Sequence, residues 1–474
     1  MNRAPHHVRQ PTVDLGVGPH NPHDASQLIA ALTVDPSGEV PVDQLSVPEI
    51  SVTNGLAATI GQLLGDDLPV AIECYDGSRI GPRDASTRLV IRSPDVLRYL
   101  IAAPGELGFG RAYVSGQLDV EGSIFDALEL RRHFRASKLS KRQWFALARA
   151  IGAKALRPPP PRPAEEVRLR GRRHSRSRDA AAISHHYDVS NRFYELVLGP
   201  SMTYSCAVWP SRHSTLEAAQ AAKNDLVCRK LDLRPGMRLL DVGCGWGGMA
   251  MHAAGHYGVH VVGVTISERQ AEWARRAVAD AGLSGLVEIR EQDYRDLSDA
   301  PFDAISSIGM FEHVGVAHLS EYFDRLHALL RPGGRLLNHG ISRPFGQRPR
   351  FARRGFIDRY VFPDGELHEI GSVVSGIQAA GFEARHVESL REHYALTLRA
   401  WVDNLERAWE EAVVQVGPAR ARVWRLYMAG CATGFEDGGI QVHQVLAVRP
   451  DAGASHMPLR PTWHPPSLAV PSTE

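Results

Sequence analysis

A doubly wound α/β fold with a mostly parallel sheet, preceded by a smaller α+β unit, is what the sequence predicts, and three observations predict it. The run Leu239, Leu240, Val242 breaks into Gly243, Gly245, Gly247 and Gly248, and Met-Ala-Met-His-Ala-Ala follows closely. That order reads as a strand, a tight turn and a helix start. From Ile183 onward, apolar runs of strand length alternate with amphipathic stretches of helix length, the pattern of a sheet whose ligands sit at the carboxyl ends of its strands. A basic, proline-bearing break separates these repeats from an earlier region with strand alternation of its own.

The chain has 474 residues, 43% of them hydrophobic, and a net charge of +1. This is an ordinary soluble profile with material for two or three domains and no bulk charge to select a partner. Cys74, Cys206, Cys228, Cys244 and Cys431 are odd in number and contain no C-x-x-C. They give neither a disulfide framework nor a zinc site, and they point to the cytoplasm. No run approaches the ~18 apolar residues that cross a bilayer, and residues 1–10 lack a signal-peptide core, so membrane contact is expected to be peripheral.

In chain order, residues 1–50 are rich in Pro, His, Asp and Gly without apolar periodicity and are expected to be a disordered extension. A smaller α+β domain over 51–130 begins where Leu56, Ile60, Leu63 and Leu64 recur at helical spacing. Val70, Ile72 and Cys74 alternate as a strand, and Asp76-Gly77 turns toward a second strand at Leu89 and Ile91. Ser93-Pro94 caps a helix through Leu100, and GELGFGRAYVSGQLDVEG (105–122) reads as a glycine-punctuated hairpin. The unit is expected to have a modest core of its own and no catalytic residue.

Residues 131–180 form a linker. Between 131 and 178 there are sixteen Lys and Arg against two Glu, with an amphipathic stretch through Trp144, Phe145, Leu147, Ala148 and Ile151. The run from Pro158 to Pro161 cannot be helix interior and is a semi-rigid spacer. The segment is either a solvated hinge or a surface for anionic lipid headgroups, each basic residue there contributing roughly 1 kcal/mol. Nucleic acid is not expected as a partner, because no aromatic residues interleave as a base-stacking platform.

The catalytic domain is expected over 181–448. After the glycine turn come a strand at 259–264, a helix at 267–281, strands at 287–290 and 302–308, a helix at 318–330 and a strand at 335–338. Further helices follow between 340 and 447, including a Trp- and Leu-rich one over 393–414, and are expected to cover the substrate side. The Pro- and Ser-bearing residues 449–474 are expected to be a disordered tail.

Gly243, Gly245 and Gly248 satisfy G-x-G-x-x-G, so a dinucleotide site is weighed first. Glycines let the backbone approach a ligand, and the helix start behind them offers free N–H groups. A nicotinamide site also needs an acidic residue about 20 positions on, whereas the strand through Val261, Val262 and Val264 ends at Thr265. Asp241 precedes the glycines as D-x-G-x-G, which resembles the first motif of S-adenosylmethionine (SAM) methyltransferases.

Six blocks occur in the order of one family: His185-His186-Tyr187-Asp188-Val189-Ser190-Asn191, Met202-Thr203-Tyr204-Ser205-Cys206, Leu240 to Gly247, Val264-Thr265-Ile266-Ser267-Glu268-Arg269-Gln270, Phe311-Glu312-His313-Val314-Gly315 and Arg391-Glu392-His393-Tyr394. Over about residues 65–447 the chain resembles the cyclopropane-fatty-acyl-phospholipid synthases. Residues 105–122 also resemble the amino-terminal domain of the phospholipid-acting members, which the mycolic-acid branch lacks. The resemblance implies a seven-stranded Rossmann-like methyltransferase sheet, SAM as methyl donor, and an unsaturated phospholipid acyl chain at the membrane surface as acceptor. It also implies bound bicarbonate as base and a peripherally attached homodimer. The cofactor positions are Tyr187, Tyr204, Gly243, Gly245, Thr265, Gln270 and Tyr294, with Asp241 of the glycine motif; Tyr294 stands where mycolic-acid members have Trp. The bicarbonate contacts carried over are Cys206, Glu312, His339, Ile341 through its backbone, and Tyr394.

The chemistry accounts for such residues. An alkene is a weak nucleophile, so its π bond must be held in line with the methyl group and kept dry. The resulting carbocation closes to a ring only if a nearby weak base removes a proton from the added methyl. Glu312, His339 and Tyr394 can hold a small anion there, with Glu312 and His339 draining its proton. Tyr187, Tyr204, Phe311 and Tyr394 offer aromatic faces to the cation. Each residue also has a plainer reading: Glu312 as a helix cap, His339 as a satisfied core histidine, Cys206 as an inert thiol, Tyr394 and Trp401 as packing, Cys244 as a small residue in a turn. Three other functions remain open at this point. One is a methylene-branched product, for which family members carry Gln at the position of His339. The others are methylation of a small molecule or RNA at O or N, and lipid binding without catalysis.

Overall fold

The computed structural model describes residues 55–65, 68–133, 157–167, 190–299, 301–346, 355–363 and 365–463, and residues 140, 145, 149 and 178 singly. The expected extension at 1–50, most of the basic linker, Tyr187 and the last eleven tail positions, 464–474, lie outside the described residues.

The amino-terminal strands β1 (Ala71–Cys74), β2 (Arg79–Ile80), β3 (Arg88–Ile91) and β4 (Leu118–Glu121) form one sheet in the order β2-β1-β3-β4. β1 and β3 run parallel; the other pairs are antiparallel. Helices α1 (Leu56–Leu64), α2 (Asp95–Ala102), α3 (Glu106–Val114) and α4 (Ile124–His133) accompany it. The hairpin expected at 105–122 is instead α3 followed by β4. Gly110 looks like turn punctuation, but a Cβ there would lie 2.2 Å from the Phe356 ring. Close packing, not chain reversal, requires the glycine.

Nor does this unit keep a core of its own. Ile72, Leu89 and Val120 belong to one apolar cluster with Phe193, Trp401 and Trp424 from later in the chain. Polar contacts repeat that connection. Arg425 donates to the Tyr113 hydroxyl (3.1 Å) and the Gly122 carbonyl (3.0 Å), and Arg422 pairs with Asp119 (3.1 Å). The proline run is docked as well: Tyr99 donates to the Pro161 carbonyl (2.6 Å), and buried Glu166 takes two 2.8 Å hydrogen bonds from the Arg111 guanidinium.

The second sheet contains β5 (Arg238–Val242), β6 (His260–Thr265), β7 (Val287–Glu291), β8 (Phe302–Ile308), β9 (Leu330–Arg343), β10 (His368–Glu369), β11 (Glu383–Ser389) and β12 (Gln441–Val448). Its order is β11-β12-β9-β8-β5-β6-β7, with the two-residue β10 added beside β9. Only β12 runs against its neighbours. The expected mostly parallel, doubly wound sheet is present, with a separate apolar cluster on each face. β9 is longer than the expected 335–338 and places His339 within the strand, opposite Gln444 of β12.

Helices α5 (Asn191–Leu198), α6 (Leu216–Leu231), α7 (Gly248–Tyr257), α8 (Glu268–Asp280), α9 (Leu319–Leu329), α10 (Phe356–Tyr360) and α11 (Ile370–Ala379) connect and flank the strands. α8 starts as its sequence indicates, Ser267 accepting from the Gln270 N–H at 3.3 Å, a cap that satisfies an orphan donor. The single helix expected over 393–414 is two, α12 (Arg391–Arg407) and α13 (Trp409–Val416), broken where Ala408 leaves helical geometry at φ −103, ψ 24. α14 (Pro418–Glu436) then packs along α12. The expected disordered tail is placed as far as Trp463: Arg229 donates to the Trp463 carbonyl, and its ring lies 5.7 Å from that of His386.

Candidate active site

Strand β5 ends at Val242, and the chain then turns through Gly243 (φ 75) and Gly245 (φ 55), left-handed values that a side chain would resist. The turn opens a cavity of about 160 Å3 at the carboxyl ends of β5 and β6. Tyr204, Asp241, Gly243, Gly245, Thr265, Gln270 and Tyr294 all line it. Seven of the eight expected cofactor positions thus converge, and the eighth, Tyr187, is outside the described residues. Where a nicotinamide site would present an acid, the Thr265 hydroxyl donates to Gln270 Oε1 at 2.9 Å, leaving the Gln270 amide nitrogen as a donor.

Two charged groups face each other across this floor. Asp241 is buried, accepts from Ser306 Oγ at 2.7 Å, and its other oxygen has no hydrogen-bond partner among the described residues. Burial raises its pKa to about 6, against the Ser306 hydrogen bond and the Lys223 charge. Lys223 of α6 is only 1% exposed, and burial lowers its ammonium to about 8 despite the pull of Asp241. Lys223 was not anticipated. The signal was available: it shares a face of α6 with Ala219, Val227 and Lys230, where an apolar residue is the default.

A second cavity, of about 80 Å3, adjoins the first; Tyr204, Ser205, Gly309 and His313 line both. Its wall brings together Cys206, Glu312, His339, Ile341 and Tyr394. All five expected catalytic positions meet there, drawn from the loop before α6, the turn after β8, strand β9 and helix α12. Their hydrogen bonds assign them different parts. Glu312, 9% exposed, accepts the Ile341 N–H on Oε1 at 2.7 Å, while Oε2 has no partner among the described residues. Burial, opposed by the Ile341 and Glu312 N–H groups, raises its carboxyl to about 7. Ile341, expected as a backbone contact of the anion, lines the cavity with its N–H hydrogen-bonded to the Glu312 carboxylate, which that bond orients.

His339 is 2% exposed, and its tautomer follows from its neighbours. Lys230 donates to Gln444 Oε1 (2.7 Å), which turns the Gln444 amide nitrogen toward His339 Nδ1 (3.3 Å). Nδ1 is then an acceptor, so Nε2 carries the proton, and Nε2 is buried without a partner among the described residues. Burial and the nearby lysine charges hold the ring well below its usual pKa, hence neutral. The cavity consequently presents one unpaired acceptor, Glu312 Oε2, and one unpaired donor, His339 Nε2–H. Gln444 and Lys230 are the positioning residues that sequence reasoning missed.

Cys206 directs its Sγ to the carbonyls of Ala207 (3.2 Å) and Leu390 (3.7 Å), and burial raises its pKa well above normal, so it is no nucleophile. Tyr394 packs against Phe435 with ring centres 4.7 Å apart. Tyr204 lies against Trp401 at 5.2 Å and shares a 3.0 Å hydrogen bond with the Tyr427 hydroxyl. Aromatic faces thus line the passage from the glycine turn to the second cavity.

The family model for mycolic acid cyclopropane synthetase matches residues 174–445. The chain belongs to that family. It is 49% identical over 411 residues to a probable fatty acid methyltransferase of Mycobacterium tuberculosis, covering 84% of this chain and 95% of that one. It is 38% identical over 264 residues to the cyclopropane-fatty-acyl-phospholipid synthase of Escherichia coli, covering 56% and 66% respectively. Among solved structures it is similar to a mycolic acid cyclopropane synthase complexed with SAH and CTAB, with 37% identity, a TM-score of 0.54, and coverage of 57% of this chain and 98% of that one. The protein is a SAM-dependent methyltransferase. The family match begins at residue 174, so the β1–β4 unit lies outside it.

Proposed function

We propose that this enzyme adds a methylene from SAM across the double bond of an unsaturated phospholipid acyl chain, giving a cyclopropane, with bicarbonate held in the second cavity. The observation that carries this reading is the buried pair of unpaired atoms, Glu312 Oε2 and His339 Nε2–H, beside a cofactor cavity. An empty polar pair of this kind is costly unless something fills it. A bicarbonate ion has the O–H to give to Glu312 and the oxygen to receive from His339, so the donor set fits it. Bound there, it supplies a base for the proton of the transferred methyl group. Glu312, poised near 7, accepts or passes on that proton at neutral pH, and neutral His339 keeps the anion in place through Nε2–H. Tyr204 and Tyr394 present ring faces to positive charge developing on the alkene. Burial by α12 and α14 keeps water away from a cation that water would trap.

In the adjoining cavity Asp241 and Lys223 complement the ammonium and carboxylate of the SAM methionine moiety. Lys223→Met is expected to weaken SAM binding about tenfold, the loss of one charge-assisted hydrogen bond of about 1.5 kcal/mol, read by titration calorimetry. An unchanged affinity would remove Lys223 from the cofactor site. The segment 131–178 would meet anionic headgroups at the membrane surface, on the cytoplasmic side; no helix among the described residues is long and apolar enough to cross the bilayer.

The reaction is tested by expression in a host without cyclopropane lipids, with proton NMR of the extracted fatty acids. High-field ring-proton signals are expected. Exomethylene signals instead would assign the product to the branched-chain reaction, and methylation of a soluble acceptor without lipid would dismiss both.

A further inference from the structure

The second cavity, at about 80 Å3, is too small for a long acyl chain, whose reacting double bond lies well inside it. The remainder must lie elsewhere. Against the reaction cavity stands a much larger one of about 640 Å3, walled on one side by the β1–β4 unit. Ile357 and Tyr427 line both. Tyr427 is also the residue whose hydroxyl meets Tyr204, so one aromatic pair touches all three cavities in turn.

The lining of the large cavity is apolar, as with Leu63, Leu89, Leu97, Leu100, Phe109 and Leu128, and among the described residues its only charged ones are Glu106 and Asp437. Protein interiors are close-packed, and an apolar cavity of this size is far larger than an ordinary packing defect. It is a receptacle for something apolar. Two carboxylates repel a phosphate headgroup, so the part of a lipid that fits is its hydrocarbon end.

We propose that this cavity receives the methyl-terminal part of the reacting acyl chain, which passes between Ile357 and Tyr427, and that the amino-terminal unit thereby sets which chain lengths the enzyme accepts. The proposal rests on the lipid-methylating reading above. It gives the unit outside the family match a substrate-binding task, and it accounts for the continuous core that joins the unit to Trp401 and Trp424.

The test uses the full-length enzyme and phosphatidylglycerol vesicles in which one acyl chain carries a diazirine next to its methyl end. After irradiation, label is expected in peptides spanning residues 88–130. Leu100→Trp, which fills the cavity, should cut that label about tenfold, equivalent to losing the burial of about two methylenes. The same variant should lower turnover of long-chain phospholipid while sparing a shorter unsaturated chain. Leu100→Ala should shift selectivity the other way, so a variant that fails to fold does not decide the matter. Absence of label from 88–130 in the wild type overturns the proposal, whether the cavity is filled by another segment of the chain or by nothing. Labelling needs no turnover. Label with no ring product sinks the reaction reading alone, and ring product with no label sinks only the chain-end site.

Discussion

Replacing Glu312 by Gln should abolish ring formation, by about two to four orders of magnitude, while SAM binding is retained and the protein becomes more stable. The three effects have one cause. Gln keeps an acceptor for the Ile341 N–H, now 2.7 Å from Oε1, so the local backbone is unchanged. It cannot take a proton, so the second cavity loses the one unpaired carboxylate oxygen it has among the described residues. The cavity proposed for SAM is the neighbouring one, and Glu312 is not among its lining residues.

The stability term has a definite sign. Burial raises the Glu312 pKa from 4.5 to about 7, so the folded state holds that proton more tightly than the unfolded chain. The carboxylate's penalty is absent below its ordinary pKa, grows as pH rises, and is complete once pH passes the folded value. A shift of that size corresponds to up to about 3 kcal/mol. Thermal unfolding of the Gln variant should therefore show a gain on the alkaline side of 7 that vanishes in mild acid. Turnover measured with labelled SAM and unsaturated phospholipid should be lost at every pH. Undiminished turnover in this variant would disprove the site.

What was legible in the sequence, and what was not, follows from the range of the interactions involved. Strands β5, β6 and β8 and the Asp241 to Gly245 turn are local patterns: two-residue alternation or short apolar runs, then glycines that permit left-handed backbone. Helix α3 was misread because Gly108 and Gly110, placed there for close packing, carry the same letters as turn glycines. The His339 tautomer was unreadable for another reason. It is set by Gln444, 105 residues downstream of His339, and through it by Lys230, 214 residues before Gln444. Of the five catalytic candidates, Cys206, Glu312 and Tyr394 stand in family blocks and His339 and Ile341 came from the resemblance outside them; neither source tells that the Ile341 N–H is hydrogen-bonded to Glu312. The large apolar cavity had no sequence signal at all. Its walls come from α1, β1, β3, α2, α3, β4, α4, α10 and α14, brought together only by the shared core.

Substituting Ala for Gly340 should be among the most damaging single-atom additions to this enzyme, although Gly340 itself has no polar role. It lies between His339 and Ile341 on β9, and a Cβ there would fall 1.8 Å from Cε1 and 2.3 Å from Cδ1 of Phe311. No real contact is that short, so the ring has to move. Phe311 is buried, packs at 5.7 Å on His368, and begins the 3-10 turn that carries Glu312. Displacing it costs about 1–3 kcal/mol of overpacking strain. It also shifts the carboxylate relative to His339, and a misplacement of about 1 Å in such a site can cost about a hundredfold in rate. The expected result is a folded, less stable protein that binds SAM but turns over phospholipid about a hundredfold more slowly. Adding Phe311→Leu to Gly340→Ala should return both stability and part of the rate, because the shorter side chain vacates the space that the new methyl takes. A double-mutant cycle measures this as a coupling of at least about 1 kcal/mol. Independent, additive effects of the two changes would show that Gly340 and Phe311 are not wedged together, and that the spacing of Glu312 from His339 is fixed by something other than this contact.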